Sequence, residues 1–210
     1  MTPLGLRATG LAAIAAPLLL LASTLAYVAR GEGLNDGEVG GTIQIWAFVA
    51  FGVAVVGLAR RLEAAAPHAA VALTILGLVG VAGGIGFGID SIQIEVLGTE
   101  SLQETESSAV PLALQLPGVV FPLALAGLGV LLARHRIVPR AAGYTLAVGA
   151  LLFPASRIPG VEALAIASDG LMLVALGTIG LPLLAERSNN PESSRSSAAV
   201  HEGSPVARRA

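Results

Sequence analysis

Six long apolar stretches, parted by short charged or polar breaks, occupy almost all of the chain before residue 185. The first runs from Ala8 to Ala29 between Arg7 and Arg30, and the second from Gly41 to Ala59 before Arg60 and Arg61. The third spans Ala69 to Ile89 and stops at Asp90. The fourth covers Ala109 to Ala133 before Arg134, the fifth is a short one from Ala141 to Arg157, and the sixth runs from Val161 to Leu184. A hydrocarbon core about 30 Å thick takes roughly 20 helical residues at ~1.5 Å each. Backbone groups in lipid must bond within their own segment, and no alternating barrel pattern occurs, so every stretch reads as a helix. The pattern predicts an all-α fold: a polytopic membrane bundle of six transmembrane helices within residues 1–185.

Composition agrees with that reading. The chain is 54% hydrophobic and 12% charged, with a mean hydropathy of +0.79, outside the range of a soluble domain. A net charge of −2 gives no field that would draw in nucleic acid. The absence of cysteine excludes disulfides, thiol nucleophiles and cysteine metal sites. All 12 basic residues are arginine. With so many alanines, this suggests a GC-rich bacterial genome, and so a multi-pass protein of the bacterial inner (plasma) membrane.

The arginines also orient the bundle. Arg7, Arg60, Arg61, Arg134, Arg136, Arg140 and four tail residues (Arg187, Arg195, Arg208, Arg209) fall on one side of the alternating turns, and only Arg30 and Arg157 on the other. The positive-inside rule then puts both termini in the cytoplasm. Glu32, Asp36, Glu38, Glu95, Glu100, Glu104 and Glu106 fall in outer segments, which agrees. Residues 186–210 are rich in Ser, Pro, Arg and Glu and lack an apolar period, so they are expected to form a disordered cytoplasmic tail. The first stretch is too long for a signal-peptide core and lacks a clear cleavage site before Arg30, so a retained helix is expected.

Within the third stretch Gly80, Gly84 and Gly88 recur every fourth residue, a spacing that lets another backbone approach one face of the helix. Close packing is the expected role, ahead of a sliding or gating one. Prolines interrupt several spans, most densely around Gln115-Leu116-Pro117-Gly118, where a kink is expected. Ser107 or Ser108 is placed to cap the fourth helix. Tyr27 and Trp46 fit an interfacial aromatic belt, and the phenylalanines near the outer ends suggest no stacking site.

Polar residues inside the spans gather toward the outer side. By helical rise, Asp169 lies about 12 Å below the outer end of the sixth helix. A carboxylate at that depth costs about 2.5–3.5 kcal/mol unless paired or hydrated. Arg157, across a short turn, is its natural partner, although Glu162 could compete. Gln44, Gln115 and Asp90 also lie near the outer ends, and with Asp169 and Arg157 they make up a candidate outward pocket. A plain helix-to-helix salt bridge is the weightier alternative for the pair, and a helix-end carboxylate in the headgroup zone for Asp90. His68, His135 and His201 lie in cytoplasmic turns or the tail, so no intramembrane haem or histidine metal site is expected. No phosphate-loop, nucleophile-elbow or H-E-x-x-H motif occurs.

These features point to a non-enzymatic membrane protein without cofactor or metal, which holds a small ligand in the pocket or serves as an accessory of a membrane complex. The partners expected are the lipid bilayer and either further copies of the chain or a complex it joins as a subunit. The alternative is a secondary transporter or proton-coupled carrier using Asp169, but that needs an inner polar path, and the sequence offers almost none.

Overall fold

The computed structural model describes residues 2–31, 33, 34, 36–104, 106 and 109–185. Glu32, Asn35, Ser107, Ser108 and the tail from residue 186, with Arg187, Arg195, Arg208, Arg209 and His201, lie outside the described residues. Six helices carry the fold: α1 (Pro3–Arg30), α2 (Glu38–Leu62), α3 (Pro67–Leu97), α4 (Leu116–Arg134), α5 (Arg140–Arg157) and α6 (Glu162–Ala185). No strand occurs among the described residues.

Each helix packs antiparallel on its neighbours in the chain, and α6 returns to α1, so the bundle closes into a ring. The connections around residues 31–37, 98–110 and 158–161 share one end, called the upper end here. The turns at 63–66 and 135–139 share the lower end with the start of α1 and the end of α6.

Five helices are long and apolar enough to cross a membrane: α1, α2, α3, α4 with its leading turn, and α6. The 18 residues of α5 start and end on arginine and are not among them. The outward faces are as apolar as the inward ones. Leu4, Leu11, Leu18 and Leu25 recur every seventh residue on the exposed side of α1, while Ala13, Ala16 and Leu20 are buried on its other side. A helix apolar on every side belongs in an apolar surrounding. A bundle of several such helices is consistent with a membrane protein.

Glycine pairs set the closest crossings. A Cβ on Gly129 or on Gly143 would stand 2.6 Å from the other's carbonyl oxygen, so α4 and α5 touch backbone to backbone. Gly10 of α1 and Gly180 of α6 repeat this arrangement, at 2.8 and 2.7 Å. Between them the lower half is filled by Leu58, Leu62, Leu128, Leu132, Leu146 and Leu183, all buried.

Two expectations need correcting. The third helix does not stop at Asp90 but continues two turns to Leu97, ending at Gly98, whose φ of 62° is left-handed. The connection that follows folds back onto Asp90 and supplies its hydrogen bonds, so the carboxylate does not have to leave the helix. The glycine stripe also serves two faces rather than one. Gly84 and Gly88 lie against Phe48, Gly41 and Ile45 of α2, whereas Gly80 lies against Phe121 of α4. Four-residue spacing drifts by about 40° per step at 3.6 residues per turn. Over three glycines that drift carries the stripe from one neighbour to the next.

Candidate functional site

The polar groups expected near one end of the spans are buried in the upper half and connected to one another. Thr24 of α1 lies between Arg157 of α5 and Asp169 of α6. Arg157 Nη2 donates to Thr24 Oγ1 at 2.7 Å, and Thr24 Oγ1 donates to Asp169 Oδ2 at 2.5 Å. Arg157 Nη2 also reaches Asp169 Oδ2 at 3.4 Å. One hydroxyl thus accepts from the cation and donates to the anion, tying three helices inside the bundle. Asp169 is 0% exposed and Glu162 is exposed, so the carboxylate that Arg157 meets is the deep one. Beside it, Ser168 Oγ donates to the Gly149 carbonyl of α5 at 2.9 Å.

A second knot joins α1, α2 and α3. The Tyr27 hydroxyl shares its proton between Gln44 Oε1, at 3.2 Å, and Ser91 Oγ, at 3.1 Å. Gln44 Nε2 donates to the Gly84 carbonyl at 3.0 Å, and Ser91 Oγ to that of Phe87 at 3.0 Å. Ser23 Oγ bonds the Gly40 carbonyl at 2.7 Å. Tyr27 is 1% exposed, which overturns its place in an interfacial belt, while Trp46, 62% exposed, does face outward. Tyr27 lies on the inward face of α1, where its ring packs over Gly40 and its hydroxyl finds partners.

Asp90 stands apart from both knots. It accepts from Ser101 Oγ at 2.7 Å and from the Leu102 amide at 2.9 Å. The carboxylate thereby anchors the single 3-10 turn Leu102–Glu104, which carries Gln103. The other upper arginine, Arg30, pairs with Glu95, which also accepts from the Glu38 amide at the start of α2.

Between these features lies a cavity of about 450 Å³. Its walls come from Gln44 and Phe48 of α2, Gly80, Gly84 and Phe87 of α3, and Gln103 of the connection. Gln115, Gly118, Val119 and Phe121 close it from the α4 side, and Phe153, Pro154 and Arg157 from α5, with Ile158 just beyond its end. Gly80, Gly84 and Gly118 let Phe121, Phe48 and Phe87 lie directly against the backbone of this wall. Gln115 ends a π-helical turn, Pro111–Gln115, in which the Leu116 amide reaches back five residues to the Pro111 carbonyl. Pro117 cannot donate to the turn before it, and a wider turn of this kind is one of the places where helices bend.

Aromatic rings form the apolar side of the cavity. Phe48 and Phe121 stand 4.8 Å apart by centroid, Phe121 and Phe153 stand 6.3 Å apart, and Phe51 packs behind them. The Arg157 guanidinium carbon sits 4.1 Å over the Phe153 ring, a cation–π stack. Its Nη1 is buried with no hydrogen-bond partner among the described residues, as is Asp169 Oδ1. Leaving such a group unpaired costs about 1–3 kcal/mol.

Of the candidate pocket residues, Gln44, Gln115 and Arg157 line the cavity, with Gly80 and Gly84 beside them. Asp169 lies behind Arg157 rather than in the wall, Asp90 lies beneath the loop, and Gly88 packs on α2 away from it. Neither the phenylalanine row nor the place of Gln103 was legible in the chain, because period and depth do not say which outer-end rings converge. Thr24 was legible as an outer-half polar residue, but its bridging position was not. Among the described residues, no three His, Asp or Glu side chains are grouped to hold a metal ion. No protein-family model, curated protein or solved structure matches this chain.

Proposed function

We propose that this chain is a six-span, non-enzymatic protein of the cell membrane, with both termini cytoplasmic and an outward-facing pocket that binds a small ligand. Of the eight described arginines, six lie at the lower end, and the upper end carries Asp36, Glu38, Glu95, Glu100, Glu104 and Glu106. That imbalance supports a cytoplasmic lower end. The short α5 sits in the ring between α4 and α6, which supports counting it as a span. The helix α1 lends Thr24 to the Arg157–Asp169 pair, which supports its retention.

The observation that carries the reading is the cavity of about 450 Å³ at the upper end. Its size falls in the range of small-molecule sites, and its lining is mostly apolar with a few polar groups. A carrier would need a polar path through the lower half, where buried leucines and glycine crossings fill the space. Ligand binding is therefore preferred to transport.

The natural chain has no cysteine, so single cysteines report without background. A membrane-impermeant maleimide added to intact cells is expected to label Gln115→Cys and Gln103→Cys. Ala64→Cys, in a lower turn, is expected to react only after permeabilisation. The reverse pattern rejects the orientation, and unreactive upper cysteines reject an open pocket.

A further inference from the structure

We propose that the pocket takes a lipophilic molecule with a neutral carbonyl head, which reaches it from the bilayer; this rests on the ligand-binding reading above. Charge argues for a neutral head. Among the described residues Arg157 is the one charged residue in the lining, and its charge is already matched by Asp169 at 3.4 Å. An anion would be buried with no cation to spare, and a cation would meet the guanidinium.

Hydrogen bonding argues for an acceptor. Gln44 spends its carboxamide on Tyr27 and Gly84, whereas Arg157 Nη1 has no partner among the described residues. The remaining amides, Gln103 and Gln115, are exposed side chains at the rim. Gln103 and Gln115 donate and accept alike, so the preference for an acceptor comes from Arg157, which can only donate. A carbonyl oxygen meets it without bringing charge. A sugar or another polyol would find too few partners, because most of the wall is Phe48, Phe87, Phe121, Phe153, Val119 and Ile158.

Two wall residues indicate the route. Val119 is 47% exposed and Ile158 is 81% exposed, so both line the cavity and belong to the apolar outer surface. Val119 stands on α4 and Ile158 just past the end of α5. The closest crossing of these two helices, Gly129 with Gly143, is toward the lower end. Above it the two helices meet through the Phe121 and Phe153 rings rather than backbone to backbone. An apolar tail can follow that seam into lipid while the head stays inside.

A ring quinone and an acyl glycerol ester both carry this chemistry. The test uses the full chain purified in detergent, titrated with a short-chain prenylated naphthoquinone, a short-chain diacylglycerol, decanoate and decane, and read by native mass spectrometry and thermal shift. Saturable binding of the naphthoquinone or the diacylglycerol is expected, and which of them binds names the source. Val119→Trp should weaken it by about tenfold or more by filling the seam, and Arg157→Lys, which keeps the charge but loses the fork, by about tenfold. If Val119→Trp does not fold, Ile158→Trp at the more exposed position replaces it. Preference for decanoate, equal uptake of decane, no binding at all, or binding that ignores these variants overturns the proposal. Labelling of Gln115→Cys is independent of these titrations, so a pocket that reacts with maleimide but binds no carbonyl probe leaves the broader reading standing.

Discussion

The upper and lower halves of the bundle are held together by different physics. In the lower half, backbones meet at Gly129–Gly143 and Gly10–Gly180 and the gaps are filled by leucines. In lipid, contact of this kind depends on van der Waals fit, because surrounding tails are as apolar as the side chains. The upper half is less densely filled and depends on hydrogen bonds instead. Thr24, Arg157 and Asp169 join α1, α5 and α6, and Tyr27, Gln44 and Ser91 join α1, α2 and α3. Neither knot reaches α4, and the cavity lies on that side. Space for a ligand therefore exists where directional bonds, rather than close packing, carry the structure.

Removing half of the ion pair is the strongest way to break this contrast. Arg157→Ala leaves Asp169 buried with only Thr24, and a loss of about 3–5 kcal/mol is expected in unfolding measured in detergent. Replacing both residues with leucine should recover most of that loss. If Arg157→Ala costs no more than Arg30→Ala at the exposed Glu95 pair, the upper half does not depend on its buried bonds. A methyl-bearing side chain in the lower half comes next. Gly143→Val sets a Cβ 2.6 Å from the Gly129 carbonyl, and about 1–3 kcal/mol of overpacking is expected. Because α4 and α5 then part, maleimide labelling of Val119→Cys should speed up in the same background. An unchanged melting temperature would show that the crossing is looser than its geometry. The smallest effect is expected at the loop. Ser101→Ala removes the hydroxyl's bond to Asp90 but leaves that of the Leu102 amide, and should cost about 1 kcal/mol, with faster labelling of Gln103→Cys as the more sensitive readout.

Much of the bundle was legible in the chain because long apolar runs leave few alternatives to helices. Apolar length marks the helices, although α1 begins at Pro3, α4 follows a π-helical turn and α3 runs on to Leu97. There the ionisable residue Asp90 looked like a terminus, but it is satisfied inside by a connection that folds back. The pairing of Arg157 with Asp169 was also readable, since a deep carboxylate needs a partner and only one cation is near in sequence. Residues that meet from helices distant in the chain were less readable. Thr24 lies 145 positions from Asp169, and no local period relates them.

Apolar runs, charge placement and depth in the chain by themselves determined an all-helical bundle with its polar groups toward one end. Only the tertiary structure decided that the helices close into a ring, that the glycine stripe serves two neighbours, and that four phenylalanines line one cavity together with Arg157. The physical reason is that burial in lipid rewards every apolar side of a helix alike. Sequence pattern therefore marks where a helix crosses but not which way it turns, and its rotation is chosen by neighbours through close glycine contacts and buried hydrogen bonds.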